Sequence, residues 1–288
     1  MGWIVPRGVT GGTRYSKTEQ RSLFEFRIPI FTQSLAAMHV VTRALSTLML
    51  AVSLHANASA ATAQVAVAAN FAEPIKAIGA VLEKTTGHTI RITLGSTGKL
   101  YAQIKNGAPF DVLLAADVTT PHKLEQEGLA QPGSRFTYAR GKLVLWSAQA
   151  GRVDAKGQVL TAANLGNVAY ANPKVAPYGD ATVQAIDKLG LTSALTPKLV
   201  QGESIGQAFT FAATGNADVG FVAMAQVLEG GRLKSGSMWV VPQTLYSPIE
   251  QDAVVMQKAA SNEAAQALMK LLKSPAIKNL IRSYGYDL

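Results

Sequence analysis

Residues with hydroxyl or amide side chains stand at four places where a short apolar strand gives way to a helical pattern: Asn70, Ser96-Thr97, Tyr178-Gly179 and Ser204-Ile205. A helix that begins at the carboxyl end of a strand presents backbone N–H groups without intrahelical acceptors, together with the positive end of its dipole. These attract an anion without the help of any positively charged side chain. A single Ser-Thr turn is an ordinary N-cap, because both residues are favoured there. Four such turns, two in each half of the chain, outline instead a cleft between two lobes, lined by neutral donors. The turn around Gly98-Lys99 is not a nucleotide P-loop, since Thr93 stands where that motif needs Gly and Leu100 where it needs Ser or Thr.

The remaining chemistry-bearing residues speak against catalysis. Beyond residue 60 the histidines are His88 and His122, one at the start of a strand away from the turns and one in a helix's first turn. Neither is placed to activate a nucleophile at Thr97, and no group of residues has metal-ligand spacing. Asp111, Asp117 and Asp218 lie at strand or helix ends and read as caps. Lys99, one turn into the helix after Ser96, is expected to face solvent, because lysine is seldom buried unless paired.

The elements that must position the turns follow from hydrophobic periodicity. Gln64–Ala69 is a short buried strand, and Asn70 is expected to cap the helix carrying Phe71, Ile75, Ile78 and Leu82 at i, i+4, i+7 and i+11. Residues 89–94 alternate as a strand, Leu100 and Ile104 give a helical face, and Val112–Ala116 is apolar on both faces like a central parallel strand. A helix with Pro121 in its first turn follows, then a loop at 132–134 and a strand at 142–146. Further strands are read at 168–171, 198–200, 219–223, 239–241 and 249–256, the last returning to the first lobe. Helices are read from Asp180, from Ile205, over 263–273 and over 277–284. This alternation of short strands and helices describes an α/β fold with parallel strands.

Ahead of these elements, Arg43 precedes an apolar run, Ala44–Leu54, too short to span a bilayer, and the small-x-small patterns at 56–58 and 58–60 suit signal cleavage after Ala58 or Ala60. Residues 1–60 are therefore expected to be a leader, with 38–60 the signal peptide from an internal start at Met38 and 1–37 an upstream extension. The folded part divides into a first lobe of residues 61–140 and 247–288 and a second lobe of residues 141–246. The whole chain has 27 basic and 18 acidic residues and no cysteine. Without the leader, 21 basic and 16 acidic residues remain, a net charge of +5. These are scattered, with no basic run interleaved with aromatics, so a nucleic-acid partner is not expected.

At the four turns the sequence resembles the periplasmic molybdate-binding proteins of ABC transporters. The likeness runs from Gln64 to Leu288 and is carried by AANF, GSTG followed by YAQI and NGAPFDV, GSRFTYARGKLVLWS, NPKVAPYG, ESIGQA and the terminal SYGYDL. It implies a two-lobed periplasmic binding protein fold of type II with the ligand cleft between the lobes. It also implies a periplasmic location, a tetrahedral oxyanion such as molybdate or tungstate as ligand, a membrane permease as partner, a monomer, and neither cofactor nor catalysis. Asn70 takes a position where Ser is common, and Thr97 one where a Ser donates through side chain and backbone. Tyr178 and Ile205 take positions that donate through backbone N–H, Tyr178 having packing as its alternative role. Some members have a tyrosine donor where this chain has Ala223; Asn70 with the Ala69 N–H is the expected replacement, and Ser96 is expected to add a backbone donor. Sulfate or another oxyanion, an enzyme on the same fold, and the effector domain of a transcription regulator are the alternatives, the last needing a helix-turn-helix where residues 1–60 offer a leader.

Overall fold

The computed structural model describes residues 60–288, so the leader lies outside the described residues. The chain begins with β1 (Thr62–Ala68), a 3-10 turn at Ala69–Phe71 and helix α1 (Ala72–Thr86). β2 (Thr89–Gly95), α2 (Thr97–Lys105), β3 (Val112–Leu114) and α3 (Thr119–Gln126) follow, then β4 (Phe136–Gly141) and β5 (Leu143–Ser147). Next come β6 (Val168–Ala171), α4 (Pro177–Lys188), β7 (Leu199–Gly202), α5 (Ile205–Ala213) and β8 (Val219–Ala223). A small hairpin, β9 (Leu228–Glu229) and β10 (Arg232–Leu233), precedes β11 (Ser237–Val240) and β12 (Ile249–Val255), and α6 (Glu263–Leu272) and α7 (Pro275–Ser283) close the chain.

The strands form two five-stranded sheets, ordered β2-β1-β3-β12-β4 and β11-β5-β8-β6-β7. In the first, β1 runs parallel to both β2 and β3, and Val65, Ala66 and Val67 are wholly buried because helices cover the sheet. Neither sheet is purely parallel, in contrast to the sequence reading: β12 is antiparallel to β3 and β4, and β5 is antiparallel to β8 and β11. The reason is connectivity. The chain leaves the first sheet through β4, which runs with the βα units, and comes back through β12, which runs against them, as β5 does in the second sheet. β4 was not anticipated, since its exposed Thr137 and Arg140 interrupt the apolar pattern; it lies at the sheet's edge, paired with β12 and bridged at Arg140 to Asp287 of the tail.

Each sheet carries its own apolar core. In the first, Ile75, Ile78 and Leu82 of α1 are fully buried, each contributing about 1.5–3 kcal/mol relative to exposure. α6 is started by Asn262, whose Oδ1 accepts from the N–H groups of Ala264 and Ala265 at 3.0 and 3.2 Å. The second core gathers Leu143, Leu145, Phe221 and Ala223 and also takes in Ala68, Ala69 and Ala116 from the ends of the first sheet's strands. The two sheets therefore meet at the carboxyl ends of β1 and β3.

Three helix starts differ from the sequence reading, α7 beginning at Pro275 rather than Ile277. Asn70 does not cap α1: it lies inside the 3-10 turn and makes no side-chain capping bond. α4 begins at Pro177 rather than Asp180, because proline at the first helical position has no N–H to lose and a fixed φ that suits the helix.

Candidate functional site

A small cavity lies where the four turns converge, lined by Ala68, Ala69, Asn70, Gly95, Ser96, Thr97, Ala116, Ala176, Pro177, Tyr178 and Ile205. All six residues expected at the site are among them, and none of the lining residues is charged. Ala69 and Asn70 come from the turn after β1, Ser96 and Thr97 from the β2–α2 junction, Tyr178 from the first turn of α4 and Ile205 from the first residue of α5. A wider groove of about 260 Å³ shares Ala69, Asn70 and Gly95 with the cavity and reaches outward past Glu73, Phe209 and Lys234.

Glycines let the elements approach this closely. A Cβ on Gly98 would stand 3.1 Å from Val175 Cα, and the Gly98 N–H donates to the Val175 carbonyl at 2.9 Å, joining α2 to the segment before α4. A Cβ on Gly179 would collide with the Ala171 carbonyl at the end of β6.

The polar atoms facing this space are unusual. Among the described residues, the buried side-chain atoms without a hydrogen-bond partner are Asn70 Oδ1 and Ser96 Oγ, and both residues line the cavity. An orphaned buried polar group costs about 1–3 kcal/mol, so two of them in one place mark groups kept for a missing partner. Ser96 is the N-cap of α2 by backbone geometry, yet its hydroxyl makes no capping bond. Thr97, 1% exposed, accepts the Ala116 N–H on Oγ1 at 2.9 Å, which leaves its own hydroxyl proton to donate.

From the second sheet the donors are backbone groups. Pro177 has no N–H, so Tyr178 carries the first one of α4, and it has no acceptor within the helix. Ile205 is the first residue of α5, started by Ser204, whose Oγ accepts the Gln207 N–H at 3.3 Å. The Ile205 N–H is thus also free of helical bonding.

Behind the cavity lies a buried polar network that the sequence reading missed. Asn70 Nδ2 donates to Gln251 Oε1 at 2.8 Å and to the Tyr286 hydroxyl at 3.0 Å, and Tyr286 donates to the Asn70 carbonyl at 2.9 Å. The Tyr138 hydroxyl reaches the Ala115 carbonyl at 3.0 Å and Gln251 Oε1 at 3.1 Å, and Gln251 Nε2 donates to the Tyr178 hydroxyl at 3.3 Å. Burial pushes Tyr138, Tyr178 and Tyr286 well above the ordinary phenol range, so all three stay protonated. The signal in the sequence was the polar triplet Glu250-Gln251-Asp252 inside β12; a register shift between Gln251 and Asp252 lets both of these residues be buried.

Lys99 does not simply face solvent. Its Nζ pairs with Glu203 of the β7–α5 turn at 2.7 Å, across the junction of the two sheets and outside the cavity lining. Asp218 is not a cap either: it pairs with Arg152, which holds its carboxyl below the usual range, and it accepts the Gly166 N–H at 3.0 Å. Asp117 does cap α3, accepting the Thr120 N–H at 2.7 Å, while burial raises its pKa. Asp111 accepts the Gln64 N–H at 2.7 Å, and His88 accepts the Ala61 N–H at 3.1 Å beside the amino end of β2, away from the cavity. Ala223 ends β8, where its N–H donates to Gln226 Oε1 at 2.9 Å, and it does not line the cavity.

Comparison with known proteins identifies the family. Residues 63–287 match the family model described as bacterial extracellular solute-binding protein. A molybdate-binding protein ModA of Azotobacter vinelandii is 57% identical over 231 residues, covering 80% of this chain and 92% of the relative. That of Rhodobacter capsulatus is 53% identical over 239 residues, covering 83% and 93%. The solved structure of an Azotobacter vinelandii periplasmic molybdate-binding protein superposes with a TM-score of 0.76 at 43% identity, covering 78% of this chain and 99% of that one. The fold is therefore the two-lobed periplasmic binding protein fold, and this chain belongs to the bacterial extracellular solute-binding proteins and, within them, to the periplasmic molybdate-binding proteins.

Proposed function

We propose that this chain captures a tetrahedral oxyanion, molybdate or tungstate, in the cavity at the four turns and delivers it to an ABC permease. The observation that carries the reading is the coincidence of the orphaned Asn70 Oδ1 and Ser96 Oγ with helix starts in a cavity free of charged side chains. A dianion there is held by the Ser96 and Thr97 hydroxyls, the Asn70 amide and the N–H groups of Ala69, Tyr178 and Ile205. Charge-assisted bonds of this kind are short and strong, and the helix ends supply the positive field. The similarity to molybdate-binding proteins of Azotobacter vinelandii and Rhodobacter capsulatus supports molybdate as the ligand.

In this reading the protein is exported to the periplasm and acts as a monomer without cofactor or catalysis. Residues 61–140 and 247–288 form one lobe, residues 141–246 the other, and the two close on the ion. The Gly98–Val175 backbone bond and the Lys99–Glu203 pair are contacts of the closed form. Titration calorimetry of protein purified from the periplasm tests the assignment: molybdate and tungstate should bind with one ion per chain and displace sulfate and phosphate. Preferential binding of sulfate, or no heat with any oxyanion, would overturn it.

A further inference from the structure

The amide of Asn70 faces a conflict if the cavity takes an oxyanion. Both Nδ2 hydrogens are committed to Gln251 and Tyr286, and the end left free is Oδ1, an acceptor that an anion repels. Gln251 is 0% exposed, and its own Oε1 already accepts from both Asn70 and Tyr138. Tyr178 meanwhile accepts from Gln251 Nε2 at 3.3 Å, and its own hydroxyl lies beside that of Tyr286.

Reversing both amides together frees the Asn70 nitrogen, at the expense of one hydrogen bond, that from Asn70 Nδ2 to Tyr286. Tyr178 then donates to the Gln251 oxygen across the 3.3 Å contact, and the Gln251 nitrogen donates to Asn70 Oδ1 and to the Tyr138 hydroxyl across the 2.8 and 3.1 Å contacts. Tyr138 keeps its bond to the Ala115 carbonyl, and Tyr286 divides its one hydroxyl proton between the Asn70 carbonyl and Asn70 Oδ1, at 2.9 and 3.0 Å. The Asn70 nitrogen is left at the free end of the amide, with hydrogens for a ligand. Reversing Asn70 alone would set two oxygens, Asn70 Oδ1 and Gln251 Oε1, against each other at hydrogen-bond distance, so the two amides move as a pair. Gly141 is where the backbone gives way to this arrangement: a Cβ there would overlap the Tyr178 hydroxyl and stand 2.6 Å from Gln251 Nε2.

We infer that Gln251 is a positioning residue for the ligand site: its amide, held by the Tyr178 and Tyr138 hydroxyls, sets the direction of the Asn70 amide, so that the site presents a donor to an oxyanion. This rests on the oxyanion reading and goes beyond it by assigning a role to three buried residues that do not meet the ion with their side chains. The relay contains only hydroxyls and amides, so it selects for an acceptor ligand without placing a charge behind the cavity.

The test uses the exported protein and sodium molybdate. In nitrogen-15 spectra of the wild type, the side-chain NH₂ pairs of Asn70 and Gln251, assigned by their loss in Asn70→Ala and Gln251→Met, should shift together as molybdate is added. By calorimetry Gln251→Met should bind about tenfold more weakly, and Tyr178→Phe, which keeps the backbone donor, several-fold more weakly. The double variant Asn70→Ala with Gln251→Met should lose no more than Asn70→Ala alone, because Gln251 acts through Asn70; a merely structural role would give additive losses. Unshifted side-chain pairs in a wild type that binds molybdate would overturn the inference without any variant having to fold, and so would additive losses. A wild type that gives no heat with molybdate overturns the oxyanion reading itself, which separates the two failures.

Discussion

Asn70, Ser96 and Thr97 meet the cavity with amide and hydroxyl groups, whereas Tyr178 and Ile205 meet it at the first turns of helices and send their side chains into the second sheet's apolar core. The first side of the site is specified by residue type. The second is specified by where α4 and α5 begin, which Pro177 and Ser204 determine. Side-chain identity should therefore matter greatly on one side and little on the other. What the two sides share is neutrality: none of the residues lining the cavity is charged, so on the proposed reading oriented dipoles recognise the ion.

The largest effect is expected on the first side. Thr97→Ala removes a donor to the ion and leaves the Ala116 N–H unpaired, so affinity should fall about ten- to a hundredfold, which calorimetry with molybdate measures. A loss under twofold would remove Thr97 from the donor set. On the second side the matching experiment deletes a backbone donor. Ile205→Pro keeps the helix start, since proline suits the first helical position and Ser204 is already extended at φ −148° and ψ 167°. It should weaken binding about tenfold, while Ile205→Val, which keeps the N–H, should bind within about twofold of wild type. Equal losses in the two variants would mean that the side chain, not the backbone, is what counts there.

A pH experiment separates the neutral site from the ionic scaffold. The Asp218 carboxyl is lowered chiefly by its bond to Arg152, so the pair contributes stability above the unfolded carboxylate pKa of about 3.9. That contribution is lost as pH falls through the lower folded value. Arg152→Ala should lower the melting temperature at neutral pH and approach wild type in acid. Molybdate affinity should stay level from about pH 6 to about pH 9, because the buried tyrosines do not titrate there. An affinity that falls through the histidine range would place a titrating group at the site.

The smallest effect belongs to Lys99. Its pair with Glu203 has both side chains half exposed, at 50% and 56%. Exposed pairs contribute little and are screened by salt. Lys99→Ala should change affinity only a few-fold and at low salt, seen by calorimetry at two salt concentrations; abolished binding would show that a cation, not a ring of neutral donors, holds the ion.

The four turns were legible in the sequence because local chemistry writes them: apolar strands ending in Asn, Ser-Thr, Pro-Tyr-Gly or Glu-Ser, each followed by a helical period. The six residues that this local signal singled out all line one cavity. What it could not place were contacts between residues far apart in the chain. Asn70 read as a helix cap because Asn before a helical pattern usually is one. Only the return of β12 and of the C-terminal tail brings Gln251 and Tyr286 to it, 181 and 216 positions away, and turns its amide to another use. Lys99 is exposed as expected, but its partner Glu203 could not be foreseen, since the other sheet supplies it. The sequence by itself determined which backbone ends would offer donors, through propensity and periodicity within a few residues. The direction in which each donor faces was decided by the tertiary structure alone, because a buried amide or hydroxyl takes its orientation from whatever partners the fold delivers.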